Sequence, residues 1–264
     1  MNIFETIVLG LTQGLTEFIP ISSSGHLVIA QQLFSGASDH LFLEFINIGT
    51  LLALVVYFWK RIIGILHDVF VKKNFILARN ILITSIPAGI VGYFLSEFID
   101  KAAFFGSLTT VTITIATVGI VMIVLEKLPK AAPVASGEKL SSWRALGIGL
   151  AQMLALIPGV SRSGSTIIAG RLAGLNPASA AEYSFLASLP IMVGVTLKVF
   201  IKSSDRAYFV DHMPMLLLSN TVAFISGLIA VGFLMRYLSK HSLAAFGWYR
   251  VGLASILALY LLVQ

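Results

Sequence analysis

Residues 10–26 read GLTQGLTEFIPISSSGH, and residues 149–165 read GLAQMLALIPGVSRSGS. The two stretches share an order of landmarks. Gly10, Leu11, Gln13, Ile19, Pro20, Ser24 and Gly25 match Gly149, Leu150, Gln152, Ile157, Pro158, Ser163 and Gly164, with one gap on each side of the proline. Downstream, Glu44-Phe45 follows His26 by 18 residues and Glu182-Tyr183 follows Ser165 by 17. Apolar segments resemble one another by composition, but a common order of Gln, Pro, Ser-Gly and Glu is not an apolar match. The chain therefore reads as one domain, 1–264, built from two repeats of about 1–126 and 144–264. In each stretch a proline followed by serines and glycine breaks the helical pattern, leaving arms too short to cross a bilayer.

Composition sets the solvent. Of the 264 residues 57% are hydrophobic and 11% charged, against about a quarter charged in soluble domains. Runs such as Leu108–Leu125 and Leu243–Val263, the latter interrupted by Arg250, are long enough to span as helices. The fold class expected is an all-α integral membrane protein, each half a re-entrant helix hairpin followed by about three transmembrane helices. Ile62–Leu77, carrying His67, Asp68, Lys72 and Lys73, reads as an amphipathic segment lying in the interface. The polar stretch Lys127–Ser142 reads as the loop between the halves. Met1–Glu5 lacks the cationic start of a signal peptide and reads as part of the mature fold. The chain has no Cys, which excludes disulfides and thiolate chemistry. A net charge of +6 does not imply nucleic acid here, because membrane proteins collect Lys and Arg in cytoplasmic loops.

Three spans between two hairpins make the hairpins enter from opposite faces, an inverted repeat that brings two irregular tips together near the midplane. One side then receives Lys60, Arg61, Lys72, Lys73, Arg79, Lys127, Lys130, Lys139, Arg144, Arg171, Arg236 and Lys240, with Arg250 nearby. The other receives Lys101, Lys198, Lys202 and Arg206. The positive-inside rule makes the first side cytoplasmic, so both termini and the mouth of the first hairpin face outward.

Polar groups at membrane depth are functional candidates. Gln13 and Glu17, four apart, share a helix face just before the break at Pro20, and Ser22, Ser23, Ser24, Gly25 and His26 follow it. A carboxylate, hydroxyls and an imidazole within ten residues suit a reaction centre better than a packing seam. The second break places Arg162 among Ser161, Ser163, Gly164 and Thr166. A guanidinium there needs an anion, and phosphate suits its two-pronged donors together with hydroxyls and backbone N–H groups. The structural alternative is an ion pair from Arg162 to Glu17, Glu44 or Glu182. Glu44 and Glu182 read as buried braces of their hairpins. No HExxH, Walker loop, GxSxG elbow or Cys/His box occurs.

The stretches Gln13–His26 and Pro158–Thr166 resemble the two signature motifs of the undecaprenyl-diphosphate phosphatase family, the bacitracin-resistance proteins, and the resemblance runs nearly end to end. It implies hydrolysis of undecaprenyl diphosphate to the monophosphate at an outward-facing site in the cytoplasmic membrane, recycling the lipid carrier for cell-wall synthesis. It also implies Mg²⁺ or Ca²⁺ as cofactor. By motif, Glu17, Ser23, His26 and Arg162 are the catalytic positions. Gln13, Ser22, Ser24, Gly25, Ser161, Ser163, Gly164 and Thr166 then line the substrate, and Glu17 with Gln13 would hold the metal. The first motif position is often Glu in the family; here Gln13 removes one charge from that pair. The nucleophile is left open between Ser23, His26 and water, with Ser23 favoured. A homo-oligomer is compatible with the sequence. The competing class is a transporter or flippase for a phosphorylated lipid or anion, which would share the broken helices but would not need Glu, Ser and His beside Arg.

Because the chain has no native Cys, single cysteines report sidedness. Labelling is expected from outside at Ser38 and from inside at Gly137; labelling of both from one side would contradict the inverted topology.

Overall fold

The computed structural model describes residues 2–33, 40–102, 107–128, 131–201 and 203–263. Among these residues the structure is helical apart from one isolated bridge, Val134 to Leu175. The first half runs α1 (Ile3–Phe18), α2 (Ser23–Leu33), α3 (His40–Tyr57), α4 (Trp59–Phe70), α5 (Ile76–Lys101) and α6 (Leu108–Leu125). The second runs α7 (Ser142–Met153), extended by a 3₁₀ turn at Leu154–Leu156, then α8 (Arg162–Leu172), α9 (Pro177–Ile201), α10 (Ser203–Asp211), α11 (Met213–Leu238) and α12 (Ala244–Val263). Six elements recur in the same order, which is compatible with an inverted repeat. Lys130, Lys202 and the labelling position Ser38 lie outside the described residues.

Local chemistry explains where the helices start. Asn2 and Glu5 form a reciprocal capping box at α1, while Ser107 and Ser141 accept from the first turns of α6 and α7. Among the described residues five helices are long and apolar enough to cross a membrane, and α3 with α4 makes a sixth candidate bent by 70°. The amphipathic segment expected over 62–77 is α4, ending at Phe70, and residues 76 and 77 already belong to the spanning helix α5.

Helix packing repeats between the halves. α1 lies against α11, and α7 lies against α5. At both crossings a glycine sits under a backbone carbonyl. A Cβ on Gly10 would come 2.8 Å from the Ser219 oxygen, and one on Gly149 would come 2.7 Å from the Thr84 oxygen. Where α6 crosses α12, Gly119 and Gly247 face one another in the same way. Lipid supplies no hydrophobic drive between helices, so close backbone contact through small residues is what holds them. The outward faces of α5 and α11 stay apolar, with Leu82, Ile86, Ile90, Phe94, Ile225, Ile229 and Phe233 exposed.

At the end of the bundle that carries most of the basic residues, polar contacts tie the connections together. Arg61 pairs with Glu138 and Glu182, each at 2.8 Å. Arg171 pairs with Glu126 at 3.3 Å, and Asn80 donates to the Leu140 carbonyl at 2.9 Å. Glu182 is thus a half-exposed partner of α4, not a buried brace of its hairpin. Gly137 is buried against Tyr183, where a Cβ would sit 2.4 Å from the ring. The exposed Lys139 is therefore the better place for a cysteine on that connection.

Gly14 generates a stability test. A Cβ there would meet the Ser226 hydroxyl at 2.0 Å and the Ala223 carbonyl at 2.6 Å, whereas Gly252 has open space around it. Gly14→Ala is expected to cost about 1–3 kcal/mol or more through overpacking, read as a lower thermal midpoint in detergent. Gly252→Ala should leave the midpoint within error; equal midpoints for the two variants would refute the close-packed crossing.

Candidate active site

The two breaks fold alike. Ser22 and Ser161 both adopt positive φ, 78° and 76°, although neither is glycine. Each caps the helix that follows: Gly25 N–H donates to Ser22 Oγ at 3.2 Å, and Gly164 N–H to Ser161 Oγ at 3.1 Å. Each hydroxyl also lies 3.2 Å from a second serine, Ser24 or Ser163. A left-handed serine is strained, and the cap hydrogen bonds hold it there. In this register Ser23 and Arg162 occupy the same place, the first residue of α2 and of α8. The positive ends of both helices therefore point into the junction, which favours anions.

The tips touch. Glu17, in the last turn of α1, pairs with Arg162 Nη2 through Oε1. Its Oε2 accepts from Ser23 Oγ at 2.6 Å and from Gln13 Nε2 at 3.1 Å. Gln13 also donates to Asn47 Oδ1 on α3 at 2.7 Å. Ser163 Oγ donates to the Glu17 carbonyl at 3.3 Å, and Gly159 N–H reaches Ser24 Oγ at 3.4 Å. Glu17, Gln13, Ser23 and Arg162 thus form one chain of contacts. Arg162 Nη1 is buried there and has no hydrogen-bond partner.

The other residues singled out from the sequence are placed differently. Ser22 and Ser161 are spent on caps. Thr166 is buried, with its hydroxyl 2.5 Å from Ser184 Oγ and 2.8 Å from the Arg162 carbonyl. Gly25 and Gly164 are buried in their turns. His26 has its Nδ1 2.7 Å from the Ser22 carbonyl and its Nε2 2.8 Å from Tyr249 Oη.

Sequence reasoning missed Asn47 and misplaced Arg250. Arg250, read as lying near the basic side, is fully buried in α12. It donates to the carbonyls of Pro20 at 3.2 Å, Gly159 at 2.5 Å and Val160 at 3.4 Å, and to Thr114 and Ile115 of α6. One guanidinium therefore holds both breaks. Thr114 Oγ1 donates to the Pro158 carbonyl at 2.8 Å, as Arg250 does to Pro20 in the other half. The available signal was a lone Arg inside a charge-free run. Asn47 had none: it is one amide in an apolar helix.

A divalent cation takes oxygen ligands. Glu17 already has both oxygens engaged, and Gln13 turns its N–H₂ toward that carboxylate. Among the described residues no three His, Asp or Glu side chains cluster as a metal site would need. This donor set does not fit a cation held by the protein alone.

The family model for the bacitracin resistance protein BacA matches residues 6–256. An undecaprenyl-diphosphatase of Parvibaculum lavamentivorans is 36% identical over 98% of this chain and 97% of its own length. Undecaprenyl-diphosphatase 2 of Paramagnetospirillum magneticum is 33% identical over 98% of this chain and 99% of its own. An undecaprenyl-diphosphatase of Enterococcus faecalis is 34% identical over 98% and 97% respectively.

Arg250→Lys should leave some of those backbone carbonyls without a donor, each worth about 1–3 kcal/mol when buried and unpaired. A drop in thermal midpoint with parallel loss of turnover is expected. An unchanged midpoint would mean that the breaks find other donors.

Proposed function

This chain belongs to the BacA family of bacitracin resistance proteins, and from that membership we infer that it hydrolyses undecaprenyl diphosphate to undecaprenyl phosphate and inorganic phosphate. It is a multi-pass membrane phosphatase serving cell-wall synthesis. We place the reaction at the junction of Glu17, Ser23 and Arg162. The observation that carries this placement is the unpartnered, buried Nη1 of Arg162 beside a carboxylate that already receives a serine hydroxyl.

The roles follow from the contacts. Arg162 can keep Nη2 on Glu17 while Nη1 takes an oxygen of the terminal phosphate, so the anion arrives next to Ser23. The N-termini of α2 and α8 add backbone N–H groups to the same space. Ser23 Oγ gives its proton to Glu17 Oε2 as it attacks the terminal phosphorus. The bond from that phosphorus to the bridging oxygen breaks, and the lipid monophosphate leaves. Water then hydrolyses the phosphoserine, with Glu17 returning the proton to Ser23 Oγ. Catalysis is chiefly positioning and neutralisation of charge on the phosphoryl oxygens. Mg²⁺ or Ca²⁺ comes with the diphosphate as its counter-ion and is part of the substrate. The site faces outward from the cytoplasmic membrane, with both termini on the same side; the distribution of Lys and Arg supports that orientation.

Arg162→Ala is expected to lower phosphate release from a polyprenyl diphosphate by about 10²–10³, and Arg162→Lys not to restore it, since an ammonium lacks the planar fork. Near wild-type turnover in the Lys variant would reduce Arg162 to a general positive charge.

Ser23→Ala should abolish turnover while His26→Ala keeps a measurable fraction. A phosphoenzyme trapped from wild type should survive acid and yield to alkali, as a serine ester does. The opposite lability would make His26 the nucleophile. If no phosphoenzyme is trapped and a single turnover inverts configuration at phosphorus, water attacks directly.

A further inference from the structure

His26 stands beside the junction but bonds to neither Glu17 nor Ser23 in the contacts described above. A carbonyl oxygen only accepts, so the 2.7 Å contact to Ser22 O requires the proton on Nδ1. The second contact, from Nε2 to Tyr249 Oη at 2.8 Å, then has the phenol as donor and the imidazole as acceptor. A doubly protonated ring would reverse that bond, but it would add a positive charge beside Arg250, the next residue on α12. The rings also lie nearly parallel, with centroids 5.8 Å apart at 10°. Tyr249 cannot drift along α12, because Arg250 is fixed to five carbonyls of three elements.

We propose that Tyr249 is a positioning residue for His26: its hydroxyl and the Ser22 carbonyl together hold the imidazole as the neutral Nδ1–H tautomer, with basic Nε2 turned toward α12. Nothing in the motif pattern points to this tyrosine, which lies 223 residues from its partner. The groups around the imidazole are Ser22 on its own hairpin and Tyr249 and Arg250 on α12. Of these, Tyr249 is the hydroxyl that meets Nε2. The basic nitrogen is therefore set before substrate arrives. Its proton exchange with the phosphates, or with water attacking the phosphoserine, proceeds by displacing the phenol or through it. The catalytic part of this proposal rests on the phosphatase reading of the junction; the tautomer does not.

Tyr249→Phe keeps the stacked ring and removes only the donor. In ¹⁵N-histidine spectra of the purified protein, with the His26 signals identified by their loss in His26→Gln, wild type should show a protonated Nδ1 and a hydrogen-bonded, unprotonated Nε2. Tyr249→Phe should move Nε2 toward the value of a free imidazole nitrogen and leave Nδ1 protonated. Turnover of a polyprenyl diphosphate should fall roughly tenfold in kcat with little change in KM, by analogy with the low end of what losing an orienting partner costs a metal-bound histidine. In a His26→Gln background the same substitution should have no further effect, because it acts through His26. An unchanged spectrum, an unchanged kcat, or an equal fall in both backgrounds overturns the proposal. Full activity of His26→Gln alone would remove His26 from the reaction and with it a positioning role in catalysis, while the spectrum still decides whether Tyr249 sets the tautomer.

Discussion

Broken helices inside a bilayer leave backbone carbonyls with no water to satisfy them, and the fold depends on meeting that demand. Arg250 meets much of it. Its buried guanidinium reaches Pro20 in one hairpin and Gly159 and Val160 in the other, together with two carbonyls of α6. It has no carboxylate partner among those contacts; the dipoles of five carbonyls stabilise its charge instead. A buried cation is costly by itself, and so are buried unpaired carbonyls, so each removes the cost of the other. The junction of the two tips is built on this exchange.

On that platform the proposed chemistry is divided between the hairpins. The first contributes the carboxylate and the hydroxyl, Glu17 and Ser23. The second contributes Arg162. The Glu17–Arg162 pair links them, and it leaves one guanidinium nitrogen without a partner. An unsatisfied buried donor is unfavourable in the resting protein. In the proposed reaction a phosphate oxygen takes that position.

Much of this was legible in the sequence, for identifiable reasons. The paired Pro and Ser-Gly breaks gave the two hairpins, and charge-free runs gave the spans, because proline and hydrocarbon impose local rules. Glu17 and Arg162 could be named because ionisable groups at membrane depth are rare, and Ser23 through the motif that resembles the family's. What could not be read was direction. Thr166 and Arg162 belong to one motif, yet Thr166 bonds Ser184 of α9 while Arg162 faces Glu17. Helical phase around a positive-φ turn decides that, and no spacing rule carries it across such a turn. Arg250 was visible as an anomaly but was counted with the loop charges, since its partners are carbonyls and leave no mark in sequence. Tyr249 and Asn47 are ordinary residues of apolar helices, given meaning only by long-range packing.

The shared turn has a further consequence. Ser23 and Arg162 stand at the same position of matched turns, directly after a left-handed serine. A single hairpin of this design has one side chain at that position, so in the proposed reaction it presents the nucleophile or the phosphate clamp but not both. On that reading neither half is an enzyme alone, and two identical halves would duplicate one function and lack the other. Activity in such a scaffold belongs to the asymmetry between its repeats: the backbone can stay matched, while the side chains at this one position must differ.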